Sequence, residues 1–174
     1  MLTGRGKPEE IFAEELELCS ALQARLDQAT ATEKYRVARE FSYTTSKQSG
    51  PGWVLIGDAF GFIDPIYSSG VYFALKSGLL ASDAIVAGLQ ADDISGEQLG
   101  NWIAGYGEGT QWIRKLVAAY YVNPFSFGQF LKTHPQYTGD LTDLLIGRIF
   151  HEGAGRIFVD LDPAIKKAIA SENE

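Results

Sequence analysis

The sequence predicts an α+β protein, mostly helical, with two or three strands. Three observations predict it. Apolar residues recur at helical spacing through most of the chain. From Tyr35 to Thr45 the residues Tyr35, Val37, Phe41, Tyr43 and Thr45 fall mostly on alternate positions, the period of a strand. Trp53-Val54-Leu55-Ile56 is a short unbroken apolar run bounded by turn residues, which suits a strand buried on both faces.

Each element follows in chain order. Pro8-Glu9-Glu10 reads as a helix first turn, because proline tolerates the unpaired N–H and acids suit the positive dipole end. Phe12, Leu16, Cys19, Leu22 and Leu26 then keep one apolar face to about Ala29. Cys19 reads as a small buried hydrophobe there. After the alternating stretch, Ser49-Gly50-Pro51-Gly52 is a turn cluster leading into the apolar run, which Gly57-Asp58 stops. A buried strand needs neighbours, and one other strand is not enough. The mismatch predicts a remnant of a larger sheet. A long helix begins near Ser69, with Val71, Leu75, Gly78, Leu79, Ser82, Val86 and Leu89 as its apolar face. The small residues Ala74, Gly78, Ala81 and Ala84 would admit a neighbouring backbone. A second long helix spans about Glu97 to Tyr121, with a bend expected at Gly105, Gly107 and Gly109. Asn123-Pro124 opens a short helix through Phe125, Phe127, Phe130 and Leu131. Asp140 caps another to about Phe150, with Leu141, Leu144, Leu145 and Ile149 inward. Asp162-Pro163 starts a last helix that frays into the acidic end, 171–174.

Composition bounds the function. The 174 residues fit one domain, and the hydrophobic fraction of 45% allows a core. A formal charge of −7 and a pI near 4.9 argue against nucleic acid and anionic membrane as partners. The stretch from Val71 to Leu89 is broken by Lys76 and Asp83 and reads as too polar to span a bilayer. Met1-Leu2-Thr3-Gly4-Arg5-Gly6-Lys7 has no apolar run of the kind a secretory signal carries, and the single cysteine is expected to suit a reducing cytoplasm. His134 and His151 have no partner at metal-ligand spacing, so no metal site is expected. The rings of Tyr120, Tyr121, Phe125, Phe127 and Phe130 read as packing more readily than as a substrate pocket.

Chemistry is concentrated in Gly57-Asp58-Ala59-Phe60-Gly61-Phe62-Ile63-Asp64-Pro65-Ile66-Tyr67-Ser68-Ser69-Gly70-Val71. Gly57 ends the apolar run, where a side chain would obstruct a close neighbour. Asp58 then stands at the carboxyl end of that run, where open sheets bind ligands. Pro65 stiffens the loop. Ser68-Ser69-Gly70 opens a helix whose first N–H groups lack partners within the helix and attract negative charge.

This fifteen-residue string resembles the second FAD-contacting motif of the flavoprotein monooxygenase superfamily. In the form Asp64-Pro65 with Ser68-Ser69-Gly70-Val71, it looks most like the flavin-dependent halogenases. The later segments from Tyr120 through Asn123-Pro124-Phe125-Ser126-Phe127 to Leu141–Gly147 look like the helical tail of the same proteins. The resemblance implies the carboxy-terminal part of an FAD-dependent oxidoreductase fold. It divides 1–174 into the end of a substrate region (1–52), an FAD-contacting strand, loop and helix (53–90) and a helical region (91–174). It also implies FAD held by Gly57, Asp58, Ala59, Pro65, Ser69, Gly70 and Val71, with Ser69 and Gly70 as candidates for a halide. In a complete enzyme, reduced FAD and oxygen would serve to oxidise halide or hydroxylate a small aromatic or other organic substrate, with a flavin reductase as possible partner.

Departures accompany the resemblance. The Gly-x-Gly-x-x-Gly turn that binds the ADP half of FAD has no match: Gly4-Arg5-Gly6, Gly105-Tyr106-Gly107 and Gly153-Ala154-Gly155 all lack the last glycine. The halogenase Trp-x-Trp-x-Ile-Pro motif is absent. Lys76 and Lys115 read as surface residues of helices, and no catalytic residue is assigned. The chain is therefore expected to supply the flavin-proximal motif and helical cap, to bind FAD weakly or not at all alone, and not to be catalytic by itself. The alternative is a non-catalytic helical domain from a truncated reading frame, stabilised by self-association.

Overall fold

A computed structural model of the chain describes residues 5–37 and 42–172. Gly4, Phe41 of the alternating stretch and the acidic end at 173–174 lie outside the described residues. The chain forms two compact units, 1–40 and 41–174.

The first unit holds two short helices, α1 (Pro8–Glu17) and α2 (Ser20–Leu26). Pro8 occupies the first turn as its fixed φ predicts, and the Lys7 N–H donates to the Glu10 carboxylate at 3.0 Å. The expected single helix is broken at Leu18 and Cys19, whose amides turn back to Glu15 and Leu16. That break destroys the common apolar face: Phe12 and Leu22 are exposed, and so is Cys19, contrary to its expected burial. Tyr35 lies beside Phe12, ring centroids 5.1 Å apart, in irregular chain rather than in a strand.

The second unit begins with two-residue strands β1 (Tyr43–Thr44), β2 (Ser49–Gly50) and β3 (Trp53–Val54). A four-residue helix α3 (Gly57–Phe60) follows, then β4 (Gly61–Phe62) and a 3-10 turn (Pro65–Tyr67). The remainder is helical: α4 (Gly70–Gln90), α5 (Gly96–Leu99), α6 (Ile103–Tyr120), α7 (Phe127–Thr133), a 3-10 turn (Pro135–Tyr137), α8 (Thr138–Leu145) and α9 (Phe158–Glu172). The mostly helical α+β class holds, but the strands pair differently from expectation. β1 pairs antiparallel with β4, Tyr43 opposite Phe62 and Thr44 opposite Gly61. β2 and β3 form a hairpin, Ser49 opposite Val54 and Gly50 opposite Trp53, turned by Pro51 and Gly52 with φ +79°. The apolar run is thus not a strand buried on both faces: Trp53 and Ile56 are exposed. Without a parallel neighbour among the described residues, the run folds back on its own turn, and the Trp53 indole lies over Gly50, where no Cβ would fit.

Leu116, Ile113, Leu144, Ile149, Ile157 and Leu161 form the centre of the core, with Phe60, Phe73, Trp102 and Tyr106 on one side. α4 enters this core through Phe73, Ser77, Ala81, Ala84 and Gly88. The face expected to be inward points out: Val71, Leu75 and Leu89 are 75, 71 and 67% exposed. Part of the inward side is covered by α5, where Gln98 Nε2 donates to the Ala84 carbonyl at 3.0 Å and a Cβ on Gly88 would meet Gln98 and Leu99, so the neighbour and not hydrophobicity alone chose the buried face. By length and composition alone α4 could cross a membrane, despite Lys76 and Asp83.

α6 runs unbroken through Gly105, Gly107 and Gly109, and the bend falls earlier, at the Gly100–Trp102 turn after α5. Gly109 is required by packing, since a Cβ would strike the Phe150 ring 2.5 Å away. α7 starts at Phe127, not at Asn123-Pro124, with Ser126 as its cap. Asp140 lies within the first turn of α8, where it pairs with Arg156, and Leu145 is exposed. α9 starts at Phe158, and Pro163 lies inside it.

Candidate functional site

The 57–71 segment is built as a short helix, a strand and a 3-10 turn at the amino end of α4. Gly57 has φ +54°, the left-handed region that disfavours a side chain, and a Cβ there would meet that of Ala74 at 3.4 Å. Its N–H donates to the Ser77 hydroxyl at 2.9 Å. Ser77, fully buried in α4, in turn donates toward the Phe73 carbonyl at 2.8 Å. One hydroxyl therefore ties the start of the segment to the helix that ends it. The Tyr43 hydroxyl donates to the Asp58 carbonyl, and the Thr45 hydroxyl to the Phe60 carbonyl at 2.7 Å. Arg114 of α6 donates to the Tyr43 carbonyl at 2.8 Å, so β1 is itself held from behind.

Asp64 organises the second half. One carboxylate oxygen accepts the Ile66 N–H at 3.0 Å and caps the 3-10 turn, with Pro65 at its first position. The other accepts the Tyr121 hydroxyl at 3.1 Å. The Asp64 N–H donates to the Ser42 hydroxyl at 2.9 Å. Ser68 follows with φ +53°, and α4 begins. Its first backbone bond runs from the Phe73 N–H to the Ser69 carbonyl at 3.0 Å. The N–H groups of Gly70, Val71 and Tyr72 precede it, where a helix offers its amides no acceptor of its own.

The structure thus brings the predicted residues onto one segment. Asp58, Ala59, Pro65, Gly70 and Val71 are exposed, Gly57 and Ser69 half-buried. The Asp58 side chain is turned to solvent; it is the carbonyl of that residue that the fold uses. Beside the loop, Tyr67 and Tyr120 meet edge to face at 6.2 Å. Burial, with Tyr120 and Tyr121 nearby, pushes the Tyr67 phenol up to about 12. The aromatic cluster read from the sequence therefore divides. Tyr120 and Tyr121 stand against the loop, while Phe125, Phe127 and Phe130 pack together, with His134 stacked on Phe130 at 4.5 Å. His151 is exposed and its Nδ1 lies 2.9 Å from the Glu152 carbonyl.

Sequence reading missed Ser77, Tyr43, Arg114 and Tyr121 as the residues that position the loop. Their partners are far away in the chain, and no local pattern marks them. The capping role of Asp64 was not read either, although an aspartate before a proline is a turn-initiating pair and gives a local signal for it.

Neither lysine is a plain surface residue. Lys115 pairs with Asp162 and its Nζ lies 4.8 Å from the Phe158 ring centroid. Lys76 is half-buried, its Nζ 5.6 Å from the centroid of Phe150. A cavity of about 240 Å³ lies behind the loop, bordered by Phe60, Gly61, Ile63, Thr110, Gln111 and Arg114.

An open loop with a glycine at positive φ, a stiffened turn and free helix-end amides can accommodate a flat, electron-rich group with hydrogen-bond acceptors. The chain is similar to proteins that use such a group. It is 30% identical over 142 residues, 82% of its length, to the 1H-pyrrole-2-carbonyl-(peptidyl-carrier protein) chlorinase of Pseudomonas fluorescens, covering 31% of that protein. It is 34% identical over 113 residues to the corresponding brominase of Pseudoalteromonas luteoviolacea, covering 64% of this chain and 27% of the brominase. A third relative, the tryptophan 2-halogenase of Chondromyces crocatus, is 40% identical over 78 residues, 44% of this chain and 15% of that enzyme. The solved structure of the flavin-dependent brominase Bmp2 superposes with a TM-score of 0.67 at 29% identity, over 95% of this chain and 40% of the brominase chain. No family model matches. The chain spans less than a third of the length of the curated relatives it matches.

Proposed function

We infer, from the premise that this chain is homologous to part of the flavin-dependent halogenases, that it carries the flavin-facing segment of an FAD-dependent oxidoreductase of that type. The observation that carries the reading is the 57–71 segment: a positive-φ glycine, a proline-stiffened turn and a helix end, all on one open surface. When bound, FAD would supply the oxidising chemistry, acting on halide or on a small aromatic substrate, free or held on a carrier protein as for the chlorinase and brominase. The chain's own residues bind and orient. Gly57 and Ala59 admit the cofactor closely, Asp58 offers a hydrogen-bond acceptor, and Pro65 gives a flat apolar contact. The amides of Ser69, Gly70 and Val71 face an electron-rich edge, and Ser69 with Gly70 is the place for a halide. The reading includes a flavin reductase as electron source and a reducing cytoplasm, in which Cys19 stays a free thiol.

Backbone NMR of the chain titrated with FAD tests this even if binding is weak. The amides of Gly57, Asp58, Ala59 and 69–71 should shift together, and Gly70→Val should remove the effect. Shifts confined to residues outside 57–71 would sink the reading.

A second reading is favoured by the outward face of α4. Val71, Leu75 and Leu89 on that face are a surface for further protein, and in a chain acting alone that protein would be a second copy. The product would be a non-catalytic, self-associated helical protein.

A further inference from the structure

A cavity of about 740 Å³ opens between α4, α6 and residues 149–156. That volume lies within the range of roughly 300–1,000 Å³ typical of small-molecule sites. None of its lining residues belongs to the 57–71 segment. Its walls include Trp102, Tyr106, Trp112 and Phe150, with Lys76 at one side.

Two features distinguish it from a packing defect. The first is Gly105, in the interior of α6. A glycine there costs about 1 kcal/mol relative to alanine. Gly109, one turn on, is forced by the Phe150 ring, but a Cβ on Gly105 would meet nothing within 4 Å. What Gly105 leaves is the open volume itself. The second is Lys76. The residue is half-buried with its ammonium over Phe150, and among the described residues no carboxylate lies within 4.0 Å of it. Arg156, the other strong base of the wall, is already held by Asp140 through bonds of 2.8 and 3.1 Å. Glu108 and Glu152 also line the opening, but both are exposed and their charge is screened by water. Lys76 is therefore the least exposed charged residue of the wall, and its surroundings are aromatic.

We propose that this cavity is a binding site for a planar aromatic carboxylate, with its rings among Trp102, Trp112 and Phe150 and its acid on the Lys76 ammonium. The site is independent of the flavin reading, since the two share no residue.

Calorimetric titration of the chain with 2-naphthoate, beside the neutral 2-naphthalenemethanol, tests the proposal. One naphthoate should bind per chain, about ten-fold more tightly than the alcohol, as a charge-assisted bond requires. Lys76→Gln should erase most of that difference. Gly105→Leu should abolish binding with helicity and melting temperature retained, because its side chain enters open space, whereas Gly107→Ala should leave binding intact. Equal binding of acid and alcohol, unchanged affinity in Lys76→Gln, full binding in Gly105→Leu or no binding at millimolar naphthoate each overturns the proposal. If Gly105→Leu does not fold, Lys76→Gln alone decides.

Discussion

Gly57 and Ser77 are coupled through one hydrogen bond, and each is expected to fail in its own way. Alanine at Gly57 would have to hold φ +54°, a strain of about 1–2 kcal/mol, with Ala74 already at contact distance. Ser77→Ala leaves the Gly57 N–H without its acceptor and should cost about 1–3 kcal/mol. Urea unfolding of the two variants checks both, and their double mutant should lose less than the sum, because the same bond is counted twice. Tyr67 gives a pH dependence. Its phenol is raised from the ordinary 10 to about 12 by burial, so the folded state holds the proton that the unfolded chain gives up first. The stability it contributes is fully present below pH 10 and is lost as pH rises through about 12. Unfolding midpoints followed above pH 10 should therefore fall less steeply in Tyr67→Phe than in the parent chain.

At the scale of elements, the glycines of α6 separate by what lies over them. Gly107→Ala meets open space and should raise stability by up to about 1 kcal/mol. Gly109→Ala must displace the Phe150 ring and should lower it by about 1–3 kcal/mol. Thermal melts of the pair would show opposite shifts. α4 is divided in the same way around its axis. Leu75→Glu changes an exposed position and should alter stability by no more than about 0.5 kcal/mol. Ala81→Glu places an unpaired carboxylate in the core and should cost about 3 kcal/mol or more.

For the molecule as a whole, the relatives are several times longer than the region they share with this chain, and α4 presents an apolar face to solvent. Sedimentation velocity checks whether that face is satisfied by a second copy. Association that grows with concentration, and is reversed by Leu75→Glu with Leu89→Glu, is the outcome expected of a chain acting alone. A monomer at every concentration would remove the self-association reading and leave the flavin reading intact.

By itself the sequence determined what depends on neighbours in the chain. The 57–71 motif, the helix start at Gly70, the proline of the first helical turn and the mostly helical class all follow from spacing, caps and backbone preference, which act over a few residues. Tertiary structure decided everything that depends on what lies across a gap. It turned α4 so that Phe73, Ala81 and Ala84, not Leu75 and Leu79, meet the core, because a helix apolar on most sides does not say which side its neighbours will cover. It folded Trp53 into a hairpin, since an apolar run says that burial is available and not which partner provides it. It also joined Ser77, Tyr43, Arg114 and Tyr121 to the motif, through hydrogen bonds between groups 15 to 71 residues apart that no local pattern encodes.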